Sequence, residues 1–222
     1  MENERKKGVL IMKVEIWFDF VCPFCYLGDT KFEKALAEFE HKAEVELVFR
    51  SFRLNMANED TKGKDIHQVV AEKYNISYEQ SKANNERIAE AGREVGLNYN
   101  FDAMKLNNTE FAHQIMQYAK RFQKDHALIK RYFKAYFEEG MDIGSQEALL
   151  QIAGELGLDI SELNRELASG VLKTEIQKDE AAARKYGIDT IPHFIIDGKY
   201  AVTGAQNVEY FLAALRKVHA QN

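Results

Sequence analysis

Cys22 and Cys25 are the only cysteines of the chain, and Pro23 and Phe24 separate them. Two thiols at this spacing can carry out disulfide exchange, one attacking a foreign disulfide and the other displacing whatever the first has captured. On a helix, positions i and i+3 share a face, close enough to close a disulfide without moving the backbone. Pro23 suits the first position of such a helix, where a missing N–H costs nothing. Cys22 would then lie over unpaired backbone N–H groups and the positive end of the helix dipole, both of which favour thiolate. A free cysteine titrates near ~8.5, and Cys-x-x-Cys sites reach between ~3.5 and ~7.5. Cys22 is therefore expected as the nucleophile and Cys25 as the more buried resolving thiol, with a redox-active disulfide between them and no bound cofactor. Phe24 is a candidate for substrate contact. The competing reading is a structural pair or half a zinc site. That site needs four ligands, and no second Cys-x-x-Cys or nearby His pair completes it, so no metal is expected here.

The other proline, Pro192, follows Thr190-Ile191 and precedes the apolar run Phe194-Ile195-Ile196. A cis bond there would turn the backbone of Ile191 outward beside the cysteines, free to pair with an extended substrate strand. The alternative is a plain strand-entry proline. Asp19, three residues before Cys22, either relays the proton of Cys25 or serves as an ordinary strand-end carboxylate. His113, among Phe111, Ile115 and Met116, reads by default as a satisfied core histidine. His193 is expected to point to solvent.

These residues need elements to hold them. Residues 14–20 (VEIWFDF) form a buried strand by pattern. Phe32, Ala35, Leu36 and Phe39 recur at helical spacing, and residues 45–52 (VELVFRSF) form a second strand. From about Lys64 to Tyr186 the period is helical. Ser77 with Gln80 suggests a capping box. Phe111, Ile115, Tyr118 and Phe122 form one stripe, and a broad second stripe runs from Leu128 to Phe137. A third follows a cap at Ser145, and Gly144, Gly157 and Gly187 punctuate. Past Gly187 the strand period returns, with Asp197-Gly198 as a hairpin turn and a closing helix through Val208, Phe211, Leu212 and Leu215. The expected fold class is α/β, a thioredoxin-like fold (β-α-β, then β-β-α) interrupted by a large all-α insertion. The expected parts are residues 12–60, 61–187 and 188–222, and residues 1–11 read as a tail.

Bulk properties narrow the partners. The 222 residues are 45% hydrophobic and 29% charged, with a formal net charge of −5. That balance argues against nucleic acid or an acidic membrane surface. No apolar run approaches the ~18 residues of a membrane span, and the charged N-terminus lacks a signal-peptide core. The expectation is a cytoplasmic protein acting on protein or small-molecule thiols and disulfides, with no oligomer indicated. A lone cysteine pair in a reducing compartment reads as reactive rather than structural.

The segment from Asp19 to Gly28 (DFVCPFCYLG) resembles the DsbA-like branch of the thioredoxin superfamily, and is most similar there to the FrnE-like subgroup. Supporting matches are Phe52-Arg53-Leu54-Asn55, Asn108-Thr109 with Ala112-His113, Ile191-Pro192, Gly198-Lys199-Tyr200 and Gly204-Ala205-Gln206. The resemblance spans nearly the whole chain from Met12. It implies disulfide oxidoreductase or isomerase activity, Cys22 as nucleophile, a cis Pro192, and His113 facing the active-site cleft as a substrate contact. The chain lacks the export signal of secreted members and any His inside the motif. Kappa-class glutathione transferases and hydroxychromene-carboxylate isomerases share the inserted helical domain, which makes glutathione a candidate co-substrate. Retention of both cysteines argues against that second reading. A third is a peptide-binding holdase using the cleft beside Pro192.

Overall fold

The computed structural model describes residues 5–6, 9–57 and 61–221. A short antiparallel pair, β1 (Arg5–Lys6) and β2 (Val9–Leu10), lies within the stretch read as a tail. The main sheet has four strands, β3 (Met12–Phe18), β4 (Val45–Ser51), β5 (His193–Ile196) and β6 (Tyr200–Thr203), in the order β4-β3-β5-β6. β3 runs parallel to β4, with Val14 opposite Leu47, and antiparallel to β5, with Ile16 opposite Phe194. β5 and β6 form a hairpin whose turn residues, Asp197 and Gly198, both have positive φ, at 54° and 66°. That is the geometry the Asp-Gly pair favours.

β3 is buried on both faces: Met12, Val14, Ile16 and Phe18 face one side, and on the other Trp17 packs beside Glu15, which is buried in an ion pair with Arg50. Helix α1 (Pro23–Glu38) and the closing helix α9 (Val208–His219) pack together. They cover the face of Ile16 and Phe194, with Phe32 stacked on Phe194 at 5.3 Å and edge-on to Phe211 at 5.5 Å. Aromatic side chains of this kind each contribute about 1.5–3 kcal/mol on full burial.

Between β4 and β5 stands the helical insertion: α2 (Ile66–Tyr74), α3 (Tyr78–Arg93), α4 (Glu110–Lys120), α5 (Asp125–Phe137), α6 (Gln146–Glu155), α7 (Ile160–Ser169) and α8 (Val171–Tyr186). The stripe on α5 is buried as its pattern predicts, and Phe133 and Phe137 stack on Tyr26 of α1 at 5.1 and 5.8 Å. α8 packs on β4 and α4. The Trp17 indole donates to the Asp179 carbonyl at 3.2 Å on the opposite face of β3 from α1.

Some local expectations need correction. The strands end at Phe18 and Ser51 rather than at residues 20 and 52. Ser77 caps α3 by accepting from the Gln80 N–H, but the reciprocal capping box forms one helix earlier, between Asp65 and Gln68. Phe122 lies beyond the end of α4 and is 46% exposed, so the α4 stripe stops at Tyr118. Gly157 and Gly187 follow helices with positive φ, whereas Gly144 packs on the side chain of Asn107.

Candidate active site

The Cys-Pro-Phe-Cys segment sits where β3 gives way to α1. Cys22 is the N-cap of that helix, in extended backbone geometry, and Pro23 occupies the first turn. The turn is closed by the Cys22 N–H donating to the Asp19 carbonyl at 3.2 Å and the Cys25 N–H donating to the Cys22 carbonyl at 3.0 Å. No acidic residue stands in the first turn of α1, so the helix itself carries no carboxylate against its positive end beneath Cys22. Both cysteines are free thiols, 5% exposed at Cys22 and 1% at Cys25. Cys25 is the more buried of the two, as expected of it, and Cys22 is itself nearly covered. Phe24, between them, is 47% exposed.

The cover over Cys22 comes from the far end of the sequence. The Ile191–Pro192 bond is cis, and the Cys22 thiol donates to the Ile191 carbonyl across 3.9 Å. Pro192 is anchored by its carbonyl, which accepts from the Gly204 N–H at 2.8 Å. Gly28 lets α1 approach this loop: a Cβ there would lie 2.9 Å from Pro192 Cγ. His193 is partly open to solvent. It is half-buried, its Nδ1 lies 3.1 Å from Thr203 Oγ1, and burial lowers its pKa.

Beneath the motif lies a buried polar pair. Asp19, fully buried, accepts from the Leu54 N–H at 2.7 Å through Oδ2 and lies 3.1 Å from His113 Nε2 through Oδ1. Asp19, open in the sequence between a strand-end carboxylate and a partner of Cys25, lies just past the end of β3 with one carboxylate oxygen on the Leu54 N–H and the other against His113. Burial pushes the Cys25 thiol pKa well above its ordinary value. Its hydrogen bond with Cys22 and the negative charges of Cys22 and Asp19 push the same way, and a bond to the Asp19 backbone opposes them.

His113 does not reach a substrate surface. It is fully buried against Phe20 (4.8 Å between ring centroids) and Phe18 (5.4 Å), and its Nδ1 has no hydrogen-bond partner. The expectation that it faces the cleft fails because α4 turns it inward onto Asp19. The default reading, a satisfied core histidine, holds for one ring nitrogen of the two.

Tyr99 escaped the sequence reading. Its hydroxyl donates to the Pro23 carbonyl at 2.8 Å, and its ring stacks on Phe101 at 5.3 Å. Burial, with the negative charges of Tyr26 and both cysteines, raises its pKa well above the ordinary value. Nothing in the local sequence marks it, since it lies in a loop 76 residues from its partner.

The DSBA-like thioredoxin domain model matches residues 13–216. A probable DsbA oxidoreductase from Streptomyces coelicolor is 32% identical, with a TM-score of 0.88 over 95% of this chain and 91% of that one. The Bacillus subtilis protein YwbO is 25% identical over 209 residues, 93% of this chain and 96% of the relative. The cytosolic disulfide reductase DsbM from Pseudomonas aeruginosa, solved with glutathione, shares the fold at 13% identity. Its TM-score is 0.67 over 94% of this chain and 99% of that one. The family match runs through every strand of the main sheet and every helix, cysteine pair and cis-proline loop included, and the chain belongs to the DsbA-like thioredoxin domain family.

Proposed function

We propose that the protein is a thiol–disulfide oxidoreductase in which Cys22 attacks and Cys25 resolves. The Cys22 thiolate attacks one sulfur of a substrate disulfide, forming a mixed disulfide and expelling the other sulfur as a thiolate, which takes up a proton. The Cys25 thiolate then attacks the Cys22 sulfur and releases the remaining substrate thiolate. The substrate gains two electrons, and the protein is left with a Cys22–Cys25 disulfide. The reverse sequence oxidises a dithiol substrate. The observation that carries this reading is a free cysteine pair at the N-terminus of α1, with the Ile191 carbonyl 3.9 Å from the outer sulfur.

In this reading Asp19 takes the proton of Cys25 in the resolving step, a role supported by the effect of its charge on that thiol, with His113 and the Leu54 N–H holding the carboxylate. The exposed Phe24 ring and the Ile191 backbone are the surfaces a substrate would meet, the latter by strand-like pairing. The structural likeness to a cytosolic reductase solved with glutathione supports a cytoplasmic setting and glutathione as a small-thiol partner. Among the described residues no helix is long and apolar enough to cross a membrane.

The test is reduction of a protein disulfide and reshuffling of a scrambled substrate. Cys22→Ser is expected to abolish both, and Cys25→Ser to accumulate a mixed disulfide detectable by mass. Wild-type protein inactive in both assays would overturn the reading. Activity that survives loss of Cys25 and saturates with glutathione would replace it with a glutathione-dependent isomerase or transferase.

A further inference from the structure

Two helical turns past Cys22, α1 presents Asp29 and Glu33 on one face, and the start of α5 brings His126 against them. His126 Nε2 lies 3.6 Å from Asp29 Oδ2 and 3.3 Å from Glu33 Oε1. Neither contact is a hydrogen bond: His126 Nε2 is buried and lacks a partner, as does Asp29 Oδ1, on a side chain only 6% exposed. A buried carboxylate oxygen without a donor is costly unless something else satisfies it, and on Asp29 only Oδ2 has a partner, the ion pair with His126.

We propose that Asp29, Glu33 and His126 bind a divalent first-row transition ion that joins α1 to α5. One imidazole and two carboxylates are a donor set that suits such ions. Around a metal with bonds of about 2.0–2.2 Å, neighbouring ligand atoms stand about 3.0–3.6 Å apart. The 3.6 and 3.3 Å separations fall at that spacing, and one ligand atom from each of the three residues lies within 4.8 Å of the others. The His126 ring is held by Phe49, with ring centroids 4.9 Å apart. Three protein ligands leave positions for water, as in an open metal site. Lys130 competes, since its ammonium lies 2.9 Å from Glu33, and an incoming cation must displace it. A second cluster, His41, Glu44 and His219, has its facing atoms already paired in hydrogen bonds of 3.1 and 3.0 Å.

The experiment is a Co2+ titration by calorimetry on the full chain, in the Cys22→Ser, Cys25→Ser background so that thiols cannot take the metal. One ion per chain is expected. In that background, Asp29→Asn and Glu33→Gln should each weaken binding by about tenfold or more, His219→Ala should leave it unchanged, and Lys130→Met should tighten it. Co2+ should also raise the melting temperature of the parent but not that of Asp29→Asn. Glu33→Gln and Lys130→Met, on the exposed side of the cluster, keep the test decisive if Asp29→Asn does not fold. Absence of stoichiometric binding would overturn the proposal and leave an imidazolium paired with two carboxylates. So would binding indifferent to Glu33→Gln and lost with His219→Ala.

Discussion

Asp19→Asn separates two roles for the buried carboxylate by the sign of its effect. Burial pushes the Cys25 pKa well above the ordinary thiol value, so at neutral pH the thiol form dominates. The resolving step therefore starts from a shortage of thiolate, which a nearby base can offset, general base catalysis being worth about 10²–10⁴. If Asp19 takes the proton, Asp19→Asn slows resolution by about 100-fold. If Asp19 acts only through its charge, which raises the Cys25 pKa, the substitution speeds resolution. The variant is structurally mild: its amide oxygen can accept from the Leu54 N–H, and its NH2 can donate to His113 Nε2. The assay is stopped-flow reaction of the reduced protein with an aromatic disulfide whose released thiol absorbs. The first equivalent reports attack by Cys22 and the second reports resolution by Cys25. The second phase should slow selectively and become steeper with pH, approaching a tenfold rise per unit below the Cys25 pKa. A second phase unchanged or faster in Asp19→Asn would refute the proton-transfer role.

Three further outcomes are expected. Gly28→Ala places a Cβ 2.9 Å from Pro192 Cγ and 3.4 Å from the Ala205 backbone, which should cost about 1–3 kcal/mol. At roughly 2–4 °C per kcal/mol for a chain of this size, the melting temperature should fall, and a variant at least as stable as wild type would contradict the packing argument. Asp179→Ala orphans the Ser51 N–H, bonded at 3.0 Å, leaves the Gln117 amide with only Ser51 Oγ in place of two acceptors, and strips Arg50 of one of its two carboxylates. A loss of about 3–5 kcal/mol is expected in urea denaturation. Finally, the raised Cys25 pKa belongs to a thiol neutral when protonated, so its stabilising contribution is complete below the unfolded-state pKa and is lost as pH rises through the folded one. The reduced protein should lose stability above about pH 9, more steeply above 10 as buried Tyr26, Tyr99 and Tyr132 join. Cys25→Ala should remove the first part of that fall, as measured by denaturation at stepped pH.

What the sequence determined by itself was the chemistry that is local in the chain. Cys22 and Cys25 share one helical turn, Pro23 opens it, and Asp197-Gly198 turns a hairpin, because spacing and backbone preference act over a few residues. The apolar and aromatic pattern of β3 and the broad stripe of α5 were legible for the same reason, since each is a period read along one element. Tertiary structure decided everything that joins distant segments. It swung His113 inward onto Asp19 rather than toward a substrate, set the Tyr99 hydroxyl on the Pro23 carbonyl, and laid the Ile191 carbonyl beside Cys22 from 169 residues away. It also gathered Asp29, Glu33 and His126, residues with no motif spacing, against one another. Such meetings depend on how helices pack across a shared core. A linear pattern specifies which face of a helix is buried, but not which polar group awaits it on the neighbouring element.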